Sequence, residues 1–260
     1  MTLTLVAALA AVGLLAAMLA IHEVGRRLGD SRLRRGLRDD GAAANAVGAA
    51  VFGLLGLLLA FTFSGAASRF EARRHLITTE ANAIGTAYLR IDLLPADAQP
   101  GLRKLFRDYL KLRIVAHRDE GEARATALLA DTASLQKRIW DAAIAASGRA
   151  ELPPSVRQLV VPALNEMIDI TTTRAVAAQN HPPTVIFGLL VGLCLLSALV
   201  VGHSSVTDSR GTWFYPAVLS ATMALTLYVV IDLEYPRQGL IRVDDADRTL
   251  SDMRTAIRAD

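Results

Sequence analysis

Gly41 to Ser68 runs for 28 residues without an aspartate, glutamate, lysine, arginine or proline. As a helix this stretch reaches roughly 42 Å, more than a hydrocarbon core of about 30 Å requires. Arg69, Glu71, Arg73 and Arg74 then arrive together. The helical pattern continues through them, with Ile77, Ala81, Ile84, Tyr88 and Ile91 at three- and four-residue spacing. The sequence predicts one helix from Gly41 to about Pro95 that crosses a membrane and projects beyond it.

Three more stretches lack charge and are long enough to span: Leu3–Ile21, Thr184–Gly202 and Gly211–Ile231. The chain is 52% apolar and 20% charged, with a mean hydropathy of +0.35, unlike a soluble domain of its size. The prediction is an all-α, multi-pass inner-membrane protein with four transmembrane helices and a helical bundle between the second and third. Its segments are residues 1–68 (two spans and an arginine-rich loop), 69–183 (extramembrane bundle), 184–231 (transmembrane hairpin) and 232–260 (polar tail with a short helix). A cleaved signal peptide fits the start less well. The leading MTLT has no positive charge, and the arginines follow the first span instead of preceding it.

Within the bundle, helices are expected over about Gly101–Arg118, Ala123–Ser147 and Pro154–Gln179. Leu102, Leu105, Tyr109 and Leu112 lie on one face of the first, and Leu128, Leu135, Ile139 and Ala143 on one face of the second. Pro153-Pro154 suits a helix start, and Pro162 should bend the third helix. No alternating strand pattern is present. In the tail, Leu250, Met253 and Ile257 share a helical face, with Asp245 or Asp247 as a cap.

Charge and motifs exclude several functions. The net charge is +3, and aromatics make up only 5% of the chain, so no basic stripe is interleaved with aromatics as nucleic-acid binding would need. Flanking arginines that meet lipid headgroups explain the charge better. Cys194, the one cysteine, sits in an apolar span and reads as a small buried hydrophobe. The five histidines are scattered, and no Walker loop, GxSxG or GxGxxG is present. The chain does not read as an enzyme, and nothing in it asks for a metal or a cofactor.

Three constellations remain. Ala49, Gly53, Gly56, Ala60 and Ser64 form a small-residue face on the second span. Such a face packs helices inside one chain, or lines a symmetric pore; the spacing favours the first. Around TEANAIGTAYLR, Arg69, Glu71, Arg73, Glu80, Asn82 and Arg90 form a candidate polar cluster. Glu80 lies near the apolar face and needs a basic partner, with Arg73 and Arg74 within two turns and Arg90 further on. An internal salt bridge accounts for it best. Finally, Asp232, Glu234, Asp244, Asp245 and Asp247 offer carboxylates at short spacing. Helix capping suits them better than calcium, since no glycine-bearing twelve-residue loop accompanies them.

These residues carry a resemblance. GLLGLLLAFTFSGAASRFEARRHLITTEANAIGTAYLR resembles the second membrane helix of bestrophins, where an apolar run and a Gly-Phe-Arg element precede an Arg-aromatic-Trp-Glu-Ala-Arg motif. Arg69, Phe70, Glu71, Ala72 and Arg73 match that motif without its tryptophan, and Ala60-Phe61-Thr62 stands at the Gly-Phe-Arg position. DLEYPRQG is similar to the motif after the last bestrophin membrane helix, with Asp232, Glu234, Pro236 and Gly239. Over nearly its whole length the chain resembles a bestrophin-like family of bacterial membrane proteins. The resemblance implies an oligomer, pentameric in true bestrophins, that passes small anions through a neck of apolar residues. It places Phe61 at the neck, with Leu57 and Gly53 one and two turns earlier on the same face.

Two orientations follow from two arguments. Arg26, Arg27, Arg32, Arg34, Arg35 and Arg38 place residues 22–40 in the cytoplasm and the bundle outside. The resemblance places the bundle and tail in the cytoplasm, but the arginine density of the first short loop favours the outside. Two functions stand as well: an oligomeric, anion-preferring ion channel, or a non-conducting membrane protein whose bundle serves protein interaction or envelope sensing.

Overall fold

The computed structural model describes residues 3–36, 41–118, 122–205, 213–235 and 244–259. They form helices α1 (Leu3–Arg34), α2 (Gly41–Leu89), α3 (Gln99–Arg118), α4 (Glu122–Ser147), α5 (Pro154–Gln179), α6 (Thr184–Ser204), α7 (Phe214–Glu234) and α8 (Asp244–Ala259). Among the described residues no strand occurs. Four helical stretches, Thr4–Arg34, Ala46–Leu93, Pro154–Ser204 and Phe214–Glu234, are long and apolar enough to cross a membrane.

The chain divides into two compact units. The first comprises Met1–Phe70 and His181–Arg242, the second Glu71–Asn180 and Val243–Asp260. In the first, α1 packs on α6 and α7. Its core joins Leu14 and Met18 of α1, Leu55 and Leu59 of α2, Leu190 and Cys194 of α6, and Leu227 of α7. The α1–α6 crossing depends on two glycines. A Cβ at Gly25 would stand 2.3 Å from the Leu199 carbonyl oxygen, and one at Gly202 would stand 2.1 Å from the His22 carbonyl oxygen. Only glycine permits backbones this close.

α1 departs from expectation beyond Ile21. The loop expected over residues 22–40 is helical as far as Arg34. Local ion pairs explain it: Glu23 accepts from Arg26 Nε at 2.9 Å and from Arg27 Nε at 2.8 Å. Such pairs at three- and four-residue spacing support helix in charged sequence.

In the second unit α3 packs against α4 and α8, and α4 against α5. Buried side chains include Ile77 and Ile84 of α2, Leu102 and Phe106 of α3, Ile139 of α4 and Met167 of α5. Phe106 meets Tyr88 edge to face at 5.9 Å. α2 ends earlier than the expected Pro95. It closes at Leu89 into a 3-10 turn, Arg90–Leu93, and Leu94 is extended (φ −88°, ψ 161°). The residue before a proline is pushed out of the helical region, so the stop precedes Pro95 itself. α5 begins with Pro154 in its first turn and carries Pro162 inside. α8 begins at Asp244, so Asp245 and Asp247 fall within its first turn and not at its cap position. Leu250 and Ile257 are buried there.

Candidate functional site

α2 presents two different faces. Leu55, Leu59, Thr62 and Ala66 are buried at helical spacing, whereas Gly53, Leu57 and Phe61 are all exposed. Leu57 is 53% and Phe61 66% exposed, in the same range as Val12 of α1, Val185 of α6 and Leu225 of α7. The space a Cβ would fill at Gly53 or Gly56 has nothing within 4 Å. Ala49, Ala60 and Ser64 are exposed as well. Packing inside one chain, favoured from spacing, therefore does not account for the small-residue face. The buried contacts belong to the Leu55 stripe, which periodicity could not rank in a helix apolar all round. Thr62, at the position where the resemblance has an arginine, is buried, and its hydroxyl donates to the Leu58 carbonyl at 2.7 Å.

The polar residues expected as one cluster separate. Arg69 joins the first unit, where its Nε and Nη2 donate to Glu234 Oε1 at 2.8 and 2.5 Å. Glu234 Oε2 lies 3.4 Å from His181 Nδ1, and the His181 ring stacks on Tyr235 at 4.7 Å. Glu234 is buried and occupies the last turn of α7. A helix C-terminus carries partial negative charge, so a carboxylate there needs cationic company, which Arg69 supplies. Asp232, one turn-fraction away, is also buried. Pro236 and Gly239 of the same tail motif lie outside the described residues.

In the second unit, Glu80 is fully buried and accepts from Arg113 Nε at 2.5 Å. Arg174 Nη1 donates to its other oxygen. These two basic partners come from α3 and α5, farther along the chain than the expected Arg73 and Arg74 of α2 or Arg90 of the 3-10 turn. A signal existed. Arg113 continues the Leu102, Phe106, Tyr109 register of α3, and Arg174 continues the Leu164, Met167, Thr171 register of α5. An arginine in a core register implies a buried carboxylate elsewhere. Burial by itself would lower the affinity of Arg113 for its proton, but the Glu80 carboxylate outweighs it and the guanidinium is held more firmly protonated. Beside it, the Tyr109 hydroxyl accepts from Gln136 Nε2 at 3.4 Å, and Gln136 also donates to Thr171 Oγ1 at 3.2 Å. Burial pushes the Tyr109 phenol up to about 12.

The remaining expected residues have separate tasks. Arg73 donates to the Ala177 and Asn180 carbonyls at 3.1 and 2.8 Å, satisfying groups at the end of α5. Arg90 donates to the Leu159 carbonyl. Glu71 makes a loose pair with Arg74 at 3.7 Å, and Asn82 is exposed. Among the described residues no group of three or more His, Cys, Asp or Glu is arranged to hold a metal ion.

What these arrangements offer is structural anchoring in both units and exposed apolar faces on the membrane-length helices, that of α2 among them. A model of the Bestrophin-like domain family matches residues 6–247. Among solved structures, two single-residue variants of a bacterial bestrophin homologue from Klebsiella pneumoniae superpose with TM-scores of 0.68 and 0.67, at 19% and 16% identity. They cover 94% and 96% of this chain, and 98% and 99% of theirs. The crystal structure of another membrane protein variant matches at TM-score 0.67 and 20% identity, covering 94% of this chain and 98% of that one. At such identities the likeness is one of fold. No curated protein matches the sequence. With the family model spanning all but the ends, and four helices fit to cross a bilayer, the chain belongs to the Bestrophin-like domain family of helical membrane proteins.

Proposed function

We propose that copies of this chain assemble into a ring in the inner membrane and conduct small anions. In this reading α1, α2, α6 and α7 are the four crossings, and the helices of residues 69–183 lie outside the bilayer between the second and third. α2 lines the conduction path. Gly53, Leu57 and Phe61 form its narrowest apolar part, one above the other at four-residue spacing. Nothing enzymatic is ascribed to the chain.

The observation that carries this reading is that Leu57 and Phe61, at the neck position of the bestrophin resemblance, are exposed beside the open space at Gly53 and free to face other copies. An apolar constriction gates by dewetting, so its width governs flux more than any charge does. Family membership supports the same reading, because bestrophins, which the second span resembles, are anion channels. The resemblance suggests five copies; other ring sizes bury the same face.

One observation favours the non-conducting alternative. Leu89 is 67% exposed in the second unit, an apolar side chain open to a partner protein. Reconstitution separates the two. Purified full-length protein in liposomes should release chloride faster than empty vesicles. Chloride retention equal to that of empty vesicles, with the protein folded and inserted, would favour a binding role for the second unit.

A further inference from the structure

The uncharged part of α1 ends at Ile21, but the helix continues to Arg34. The next residue, His22, is buried and meets the Trp213 ring edge-on at 5.9 Å. Trp213, Phe214 and Tyr215 are 51%, 64% and 74% exposed at the start of α7. Consecutive exposed aromatics at the mouth of an apolar span suit a headgroup layer, where a ring has apolar and polar surroundings at once. The His22–Trp213 contact sets one common level on α1 and α7.

Basic charge begins just beyond that level. Arg26 and Arg27 lie four and five residues after His22, about 6–8 Å along the axis. A headgroup layer is of similar depth, roughly 5–8 Å on each side of the hydrocarbon. Arg32, Arg34 and Arg35 follow, all exposed. Side chains on a helix lean toward its N-terminus, so the arginines of this extension lean back toward the aromatic level. Between His22 and Arg35 five arginines face two acids, Glu23 and Asp30. Glu23 is shared by Arg26 and Arg27, while Arg34 and Arg35 have no acidic partner among the described residues. The exposed Val24 and Leu28 alternate with these charges and give the arginine stems an apolar bed.

We propose that this end of the first unit binds anionic phospholipid headgroups in preference to zwitterionic ones, with the aromatics setting depth and the α1 extension supplying charge. Charge complementarity names the occupant: a net positive helix stands directly above an aromatic level that marks the headgroups. The preference is independent of ion conduction.

The test uses the full chain in a mild detergent with phosphatidylglycerol and phosphatidylcholine at equal mole fraction. Lipids retained by the folded protein are counted by native mass spectrometry. Each arginine near an anionic surface is worth roughly five-fold in affinity. The natural chain should therefore favour phosphatidylglycerol by about ten-fold or more. The triple variant Arg27→Gln, Arg34→Gln, Arg35→Gln should bring retention close to parity, and the matching triple lysine variant should keep the preference. Inorganic phosphate in place of lipid should not reproduce the effect. Equal retention of the two lipids by the natural chain, or an undiminished preference in the glutamine variant, would overturn the proposal.

Discussion

Arg69 of α2 grips Glu234 of α7 by a single carboxylate oxygen, with two guanidinium nitrogens at 2.8 and 2.5 Å. The residues are 165 positions apart in sequence, and the pair ties the end of the apolar part of α2 to the last turn of α7. Removing one member of a buried pair strands the other and costs about 3–5 kcal/mol. Arg69 keeps a quarter of its side chain in solvent, so Arg69→Met should cost near the lower end, about 3 kcal/mol. Adding Glu234→Gln should restore part of the loss. Thermal melting of the two single variants and the double variant gives the coupling; simple additivity would mean the pair contributes nothing of its own.

The same physics applies more strongly at Glu80, which has no solvent to fall back on. Glu80→Gln leaves Arg113 buried without its anion, at a cost of about 3–5 kcal/mol. Yield and melting temperature should both fall. A fully stable variant with altered activity alone would place Glu80 in a functional site instead of an anchoring one.

Two glycines make a sharper packing test. Alanine normally helps a helix by about 1 kcal/mol relative to glycine. At Gly202 the added Cβ would stand 2.1 Å from a backbone oxygen, and backbone cannot move aside as a flexible side chain can. Overpacking of about 1–3 kcal/mol should win, so Gly202→Ala should lower the melting temperature. Gly13→Ala, where nothing lies within 4 Å, should not. Equal melting of the two variants would show that α1 and α6 do not cross this closely.

Tyr109 adds a pH dependence. Its phenol titrates near 10 in an unfolded chain, and burial raises it to about 12 in the fold. Between those values the unfolded chain loses the proton while the folded one holds it. The stability this provides is complete below pH 10 and gone by about pH 12, on the order of 3 kcal/mol. Tyr109→Phe should flatten the fall in stability across that window, measured by chemical denaturation at stepped pH. An identical fall in both proteins would assign alkaline unfolding to other groups.

Much of this was readable in the sequence because burial in lipid and burial in protein leave different marks. Uncharged runs long enough to span a hydrocarbon core mark α1, α2, α6 and α7, and apolar periodicity marks α3, α4, α5 and α8. The continuity of α2 past Arg69 followed from Ile77, Ile84 and Tyr88 holding the helical spacing. Partnership was less legible. Arg69, Arg73, Glu80 and Arg90 are close in sequence, yet a helix points neighbours in different directions, and their partners Glu234, Ala177, Arg113 and Leu159 are far along the chain. The extension of α1 through its arginines is not legible from charge alone, which marks a loop as readily as a helix; Glu23, paired along the helix with Arg26 and Arg27, decides for helix. The face of α2 bearing Gly53, Leu57 and Phe61 is legible only as one of two alternatives, because in a helix apolar all round composition does not distinguish lipid, pore and protein neighbours.

In the proposed ring, Leu57 and Phe61 bound the conduction path. Chloride efflux from proteoliposomes tests it most directly, comparing the natural chain with Leu57→Ala, Phe61→Ala at matched incorporation and with melting temperatures recorded for both. Both side chains are more than half exposed, so truncation should leave stability nearly unchanged, unlike the few kcal/mol lost at a packed core position. The variant should stay stable and release chloride faster than the natural chain, because a wider apolar neck wets more readily. A variant that is destabilised and no faster, or one as stable and as tight as the natural chain, would contradict it.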